Sequence, residues 1–166
     1  MARLPSTVRD FAAYAEEVGY AGRCDELKLP EVALATEEYR AGGLGGTVDL
    51  PMGHLEKMEA EMMLSGLDPE YTRVLGQEDG ALTFRGSIGD GFTEGEAIFE
   101  MRGFFKKAAF GDLKTGDKGS TRLTCNVRYF KATIADVVVL EVDIINKRWV
   151  VDGVDRFAAQ RAALGE

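Results

Sequence analysis

Strict alternation of apolar and polar residues is the main pattern along this chain. In the segment EKMEAEMML, Met58, Ala60, Met62 and Leu64 alternate with charged residues and Met63. Glu, Met, Ala and Lys are good helix formers, so propensity alone would favour a helix. A period of two is instead typical of a β-strand with one face in the core and the other in water. The segment is therefore predicted to be a strand.

Four further strands are predicted from alternation or from β-branched residues. They are ALTFRGSI at 81–88, EAIFEMRGF at 96–104, TRLTCNVRYFK at 121–131 and VVVLEVDII at 137–145.

Two segments carry helix signals instead. DPEYTRVLG has Asp68 as a candidate N-cap, a proline in its first turn and Gly76 at its end. VDRFAAQRAALG, at 154–165, is rich in alanine and offers Asp155 as its cap. Many strands and few helices predict a mainly β (α+β) domain in which helices pack on antiparallel strands.

Length and charge narrow the class of protein. The 166 residues are expected to form one domain, 1–166, with an irregular N-terminal arm at 1–10. The formal net charge of -8 argues against groove binding, because an acidic surface repels the nucleic-acid backbone. Two explanations stay open for this charge: solubility, or a surface along which polyanions pass without sticking.

Membrane and redox signals are weak. No apolar run approaches 18 residues, so no membrane anchor is predicted. Cys24 and Cys125 lack metal-ligand spacing and are predicted to fill core in a reducing compartment.

Two glycine-rich segments imitate nucleotide-binding motifs. AGGLGG, at 41–46, has Val48 where a dinucleotide loop needs its third glycine, and the strand-like TVDLP follows it. GDLKTGDKGST, at 111–121, has Asp117 where a P-loop needs its lysine. His54 has no second histidine, and the acidic loop DGFTEGE at 90–96 lacks the ligand frame of a calcium loop. No catalytic, cofactor-binding or metal-binding residue is predicted.

Several stretches together resemble the major tail tube protein family of contractile-tailed bacteriophages and its R-type pyocin relatives. They are LKLPEVALATEEYRAGG at 27–43, VDL at 48–50, FRGS at 84–87, MRG at 101–103, GDLKTGDKG at 111–119, VRYFK at 127–131, LEVDIIN at 140–146 and VDGVDR at 151–156. The blocks follow the family's order, and their combination is specific. Two hairpins depart from the family: AEEVGYAG lacks an Asp-Gly turn, and IADVV at 134–138 lacks glycine. Either hairpin can therefore differ in length or register.

The resemblance implies an antiparallel β-sandwich or barrel-like subunit with one or two flanking helices. Six copies would form a hexameric ring whose strands line a continuous β-barrel channel, and stacked rings would form a tube for DNA ejection inside a contractile sheath. The implied partners are further copies of the chain, the tail sheath protein, baseplate and tail-terminator proteins, and the tape-measure protein and DNA in the lumen, without sequence-specific binding. The implied location is the virion (phage tail), after assembly in the host bacterial cytoplasm.

Contacts within such a tube are predicted in two loops, because glycine permits close backbone approach and Tyr and Arg suit interface anchoring. The predicted subunit-contact residues are Tyr39, Arg40, Gly42, Gly43, Gly45, Asp112, Lys114, Asp117 and Lys118. The predicted lumen face carries Lys57, Glu59 and Glu61. Its acids would let DNA slide with little adhesion, and Lys57 would partly offset them.

Three alternatives remain at this point. The tube could belong to a headless contractile device, either an R-type bacteriocin or a secretion system. A monomeric β-barrel binding module would not self-associate. An enzyme has the least support, since no nucleophile–base pair or metal set is present.

Overall fold

The computed structural model describes residues 6–15, 18–89 and 94–165, and within them the chain is mainly β. The strands are β1 (Thr7–Ala15), β2 (Val18–Gly19), β3 (Cys24–Lys28), β4 (Leu34–Tyr39), β5 (Val48–Leu55), β6 (Met58–Ser65), β7 (Gly80–Gly89), β8 (Glu94–Phe110), β9 (Ser120–Ile134), β10 (Val137–Asp143), β11 (Arg148–Val151) and β12 (Val154–Asp155). A 3-10 helix spans Pro69–Thr72, and the helix α1 spans Ala158–Leu164.

Ten of the described strands form one antiparallel sheet organised around the long strands β8 and β9. Along one edge of β9, β6 pairs with its first half and β10 with its second half. The opposite edge of β9 pairs with β8, and β7 continues the sheet only as far as Gly103 of β8. The sheet thus has a four-stranded half, β3-β6-β9-β8, and an eight-stranded half, β12-β11-β10-β9-β8-β7-β1-β2.

Two bulges in the pairing of β8 with β9, one at Arg128 of β9 and one at Lys106 of β8, mark the change from one half to the other. The register with β9 shifts between Arg102 and Gly103 and again between Phe105 and Lys107. A bulge bends its strand and increases the local twist. Gly103 lies where the backbones come closest, since a Cβ built on it would lie 1.9 Å from the carbonyl oxygen of Asn126. A side chain does not fit at this point.

The core lies between the two halves of the sheet. Met58, Ala60, Met62 and Leu64 are all buried and share one cluster with Ala13 of β1. This confirms the strand predicted from alternation, and the other four predicted strands correspond to β7, β8, β9 and β10. Core packing outweighs helix propensity in this segment, because only a strand places these four side chains on one face.

The first predicted helix is much shorter than expected. Only a 3-10 helix forms, although Asp68 does cap it by accepting a hydrogen bond from the backbone N–H of Glu70 at 2.9 Å. The chain then leaves the helix because Leu75 bridges to Phe105 and the N–H of Gly76 donates to the carbonyl of the same phenylalanine at 3.1 Å.

The predicted C-terminal helix is confirmed, but the predicted start with Asp155 as its cap is wrong. Val154 and Asp155 form β12, and Phe157 occupies the N-cap position of α1. Asp155 instead accepts hydrogen bonds from the N–H of Phe157 at 3.0 Å and from the guanidinium of Arg161 at 2.6 Å. The arginine, in the last turn of α1, holds the pKa of this carboxyl below its usual range, assisted by the N–H of Phe157.

The N-terminal arm expected at 1–10 also differs in the structure. Residues 7–10 belong to β1, which pairs with β7 from Thr7 onward, while residues 1–5 lie outside the described residues. The structure describes the turn of only one of the two hairpins that depart from the family pattern. Residues 16 and 17 of the first are not described, whereas the second is a two-residue turn in which Ala135 and Asp136 both have positive φ, 50° and 63°. The turn closes a two-residue β-hairpin, and the register with β9 then shifts between Val138 and Leu140.

Candidate assembly surfaces

The four-stranded half of the sheet has an unpaired edge on each side. On one side, β3 pairs only with β6. On the other, β8 beyond Gly103 pairs only with β9, apart from the single bridge between Phe105 and Leu75. Unpaired strand edges present rows of free N–H and C=O groups, which are a template for pairing with another chain. The described part of the molecule therefore leaves both borders of this half open.

The face of this half that points away from the core is polar. Strand register places Glu26 and Lys28 of β3 beside Met63 and Glu61 of β6. Glu61 in turn lies opposite Thr124, and Met63 opposite Arg122, both on β9. We call this surface, formed by the outward-facing residues of β3, β6, β9 and the end of β8, the polar face. The predicted lumen residues Glu59 and Glu61 both lie on it.

Glu59 has close cationic neighbours on the polar face. Its carboxylate forms ion pairs with Lys106 and, at 2.7 Å, with Lys57. Hydrogen bonds from Lys106, which has the larger effect, and from Lys57 lower the pKa of Glu59 to about 2. The charge of this predicted lumen acid is thus balanced within the chain.

The hairpin β4–β5 stands apart from the main sheet as a two-stranded ribbon, with AGGLGG at its tip. The register places Tyr39 opposite Val48 and Glu37 opposite Leu50 on one face. Tyr39, Val48 and Leu50 are 46%, 45% and 45% exposed, although they are large and apolar. A two-stranded hairpin is marginally stable at best in water unless another surface packs on it. The predicted contact residues Tyr39, Arg40, Gly42, Gly43 and Gly45 all belong to this exposed ribbon or its tip.

The second predicted contact loop joins β8 to β9. Lys118 is already engaged within the chain, since its ammonium donates to Asp25 at 2.8 Å and to Ser65 at 2.9 Å. The same lysine, followed by Ser65, lowers the pKa of Asp25. Asp112, Lys114 and Asp117 are exposed. This loop is therefore anchored to β3 and β6 at one end and open to partners along the rest.

An exposed apolar patch lies beside that loop and was missed by the sequence analysis. Leu67, Phe110 and Leu113 are 52%, 60% and 68% exposed and line a shallow depression of about 510 Å³. Leu67 is far along the chain from Phe110 and Leu113, so no local pattern connects the three residues. The open edges of β3 and β8 were missed for the same reason, because an unpaired edge is a property of the sheet.

The glycine-rich segments and the cysteines occupy ordinary structural positions. AGGLGG and GDLKTGDKG form hairpin loops between strands, so neither opens a phosphate-binding helix. Across the described ranges, no group of three or more His, Cys, Asp or Glu side chains is arranged to hold a metal ion. The pKa of the thiols of Cys24 and Cys125 is raised to about 11, chiefly by burial, which suits a packing role. None of the described helices has the length and hydropathy needed to cross a bilayer.

Comparison with known proteins identifies the class to which this arrangement belongs. The family model described as phage tail tube protein FII matches residues 5–165. The major tail tube protein of Serratia phage KSP20 is 29% identical over 154 residues, which cover 90% of each chain. The tail tube protein of Escherichia phage P2 is 25% identical over 169 residues, which cover 98% of each.

Two solved structures from an extracellular contractile injection system, PVC, share the fold. One is its sheath/tube terminator, with a TM-score of 0.58 and 16% identity over 80% of this chain and 99% of the other. The second is its sheath–tube complex, with a TM-score of 0.57 and 13% identity over 78% and 91%. This chain belongs to the phage tail tube protein FII family. Its role is structural, as a phage tail tube protein and a component of the virion, and the resemblance found in the sequence is confirmed.

Proposed function

We propose that six copies of this chain close into a ring by joining the two open edges of the four-stranded half. The β3 edge of one copy would pair with the β8 edge of the next, beyond Gly103. The observation that supports this joint is that both borders of the same half lack strand partners in the described chain, apart from the single bridge between Leu75 and Phe105. Closing a sheet on itself removes its edges. A contact between two different surfaces, repeated around a closed ring, leaves the top and bottom of the ring free to stack.

The size of such a ring suits a channel. Four strands from each of six copies would place twenty-four strands in the wall. With about 4.8 Å between strands and a tilt of about 40°, the barrel backbone would be about 48 Å across. Side chains of the polar face would narrow this to about 40 Å, taking about 5 Å from each side. The polar face, including Lys57, Glu59 and Glu61, would line the lumen, which is wide enough for duplex DNA.

Stacking of rings is assigned to the β4–β5 hairpin and the β8–β9 loop. The hairpin's exposed apolar face would pack on a subunit of the adjacent ring, supplying the surface that a two-stranded ribbon lacks. The glycines of AGGLGG allow close backbone approach at its tip. The proposed contacts remain Tyr39, Arg40, Gly42, Gly43, Gly45, Asp112, Lys114, Asp117 and Lys118, with Lys118 also holding its loop in place.

The wider assembly follows from the family. The tube would lie inside a contractile sheath and would meet baseplate and terminator proteins at its ends. It would enclose a tape-measure protein and then conduct DNA, without catalysing any reaction. Assembly would take place in the host bacterial cytoplasm. The fold shared with an extracellular contractile injection system favours a headless device as the second candidate.

Electron microscopy of the purified, concentrated protein tests the proposal, with a matched pair of variants. Leu50→Lys places a charge on the apolar face of the hairpin, opposite Glu37, and Thr36→Lys places the same charge on its opposite face. Both positions are exposed and neither lysine faces a like charge, so both monomers should fold as the unmodified chain does. We expect tubes from the unmodified chain and from Thr36→Lys, and no stacked rings from Leu50→Lys. Discrete particles from the unmodified chain would contradict ring stacking, and normal tubes from Leu50→Lys would contradict the role of the hairpin.

A further inference from the structure

The polar face carries more basic than acidic residues, although the whole chain carries a net charge of -8. Its acids are Glu26, Glu59 and Glu61. Its bases are Lys28, Lys57, Lys106, Lys107 and Arg122. Strand register and ion pairs place these residues on this face, and Arg128 adds a further cation at its border against Phe104, so bases outnumber acids there by at least two. The acids that give the chain its negative charge lie elsewhere.

A bulge contributes directly to this excess. The register of β8 shifts between Phe105 and Lys107, and Lys106 lies in the shift. Lys106 reaches Glu59 on the polar face, while Lys107 pairs with Thr124 on the same face. Two consecutive lysines therefore point to one side, which a regular strand would not allow. Sequence alternation alone would have assigned one of them to the core.

The bases differ in how far they are neutralised. Lys57 and Lys106 share the single carboxylate of Glu59. Lys28, Lys107 and Arg122 are exposed, and no ion pair to any of them occurs among the described residues. These three cations remain available to a ligand on this face.

We propose that the polar face makes the lumen of the assembled tube weakly basic, so that it holds the phosphate backbone of duplex DNA reversibly. This inference rests on the proposed function, which places the face in the lumen. It replaces the acidic, non-adhesive lining expected from the sequence. Phosphate contacts from Lys and Arg need no base sequence and weaken steeply with salt, so DNA would be retained at low salt and would pass at higher salt.

Duplex DNA fits this surface better than a polypeptide or a single strand. The face offers dispersed charges with few apolar side chains, so a peptide would find little to pack against. Phe104 is its one aromatic residue, and the guanidinium of Arg128 lies 5.3 Å from the centroid of its ring. The face therefore lacks the aromatic side chains on which the bases of a single strand would stack, whereas its dispersed point charges suit the regular array of phosphates on a duplex.

The test uses assembled tubes and a 30-base-pair DNA duplex that carries a gold label at one end, imaged by cryo-electron microscopy. Arg122→Glu lowers the charge of the polar face by two units. Arg156→Glu makes the same charge change at an exposed position of the eight-stranded half and serves as the control. We expect labels inside unmodified and Arg156→Glu tubes at 50 mM salt, and about tenfold fewer at 200 mM salt or in Arg122→Glu tubes.

The outcomes separate this inference from the proposed function. If the tube map has the polar face on the lumen but unmodified tubes hold no duplex at low salt, the weakly basic lining is refuted and the tube proposal stands. Equal retention by Arg122→Glu and Arg156→Glu tubes refutes it in the same way. A map in which the polar face is buried or turned outward refutes the proposed arrangement itself, and the lining with it.

Discussion

Replacing Gly103 by alanine should destabilise the fold strongly. The Cβ of alanine would lie 1.9 Å from the carbonyl oxygen and 2.9 Å from the carbonyl carbon of Asn126, on the paired strand β9. Both contacts are with backbone, so no side chain can move aside to relieve them. Relief would require β8 and β9 to separate where the sheet passes from its eight-stranded to its four-stranded half.

The magnitude follows from this geometry. Overpacking a core by a methyl group usually costs 1–3 kcal/mol, so a contact that only backbone movement can relieve should cost about 3 kcal/mol or more. Such a loss is a large fraction of the 5–15 kcal/mol that stabilises a typical domain. Gly95→Ala, in the same strand, is the matched control, because its Cβ would meet Ile88 at an ordinary 3.7 Å. That control should stay within about 1 kcal/mol of the unmodified chain, since alanine also lowers the entropy of the unfolded state.

Urea unfolding of the unassembled chain measures both variants. The single tryptophan, Trp149, is half-buried and packs against Phe157 with ring centroids 5.4 Å apart, so its fluorescence should report unfolding. We expect Gly103→Ala to unfold at much lower urea than Gly95→Ala. Equal stabilities within about 0.5 kcal/mol, the usual spread of neutral substitutions, would refute the close approach of β8 and β9 at this glycine.

Two further predictions concern a turn and an ion pair. Ala135→Asn combined with Asp136→Gly should stabilise the chain by about 1–2 kcal/mol, because both positions have positive φ and Asn-Gly is the preferred pair in such a turn. The control is Asp152→Asn, which should change stability little because its turn already has Gly153. Thermal unfolding measures both variants, and equal stabilisation by the two would contradict the predicted gain at Ala135 and Asp136. Asp155→Asn should cost about 1–3 kcal/mol at pH 7 by weakening the bond to Arg161. Folding lowers the pKa of Asp155, so the stability that its carboxylate contributes is present above its ordinary pKa of 3.8 and is lost as pH falls through the folded pKa. The difference in unfolding free energy between the unmodified chain and Asp155→Asn should therefore shrink below about pH 4. A difference that does not change with pH would rule this out.

Local pattern was enough to predict five of the twelve strands in the described residues and the two glycine-rich loops. Alternation in Met58–Ser65 outweighed helix propensity because one face of the strand lies in the core. The two P-loop-like and dinucleotide-like segments were correctly interpreted as loops, since residue type at one fixed position excluded each motif. These inferences needed only neighbours in sequence.

Features set by distant residues could not be predicted in the same way. The 3-10 helix after Asp68 stops early because Gly76 bonds to Phe105, about thirty positions along the chain. The polar face becomes basic because a bulge brings Lys106 and Lys107 to Glu59 and Thr124. The open edges of β3 and β8 depend on which strands pair. The acidic total charge was therefore a poor guide to the charge of one face.

A cryo-electron microscopy map of the assembled protein tests the central claim most directly. It should contain six copies per ring, with Cys24–Lys28 of each copy hydrogen-bonded to the end of β8 in the next. It should also have Glu59, Glu61 and Arg122 facing a continuous channel. Rings joined through other surfaces, with both of these strand edges left unpaired, would contradict the account.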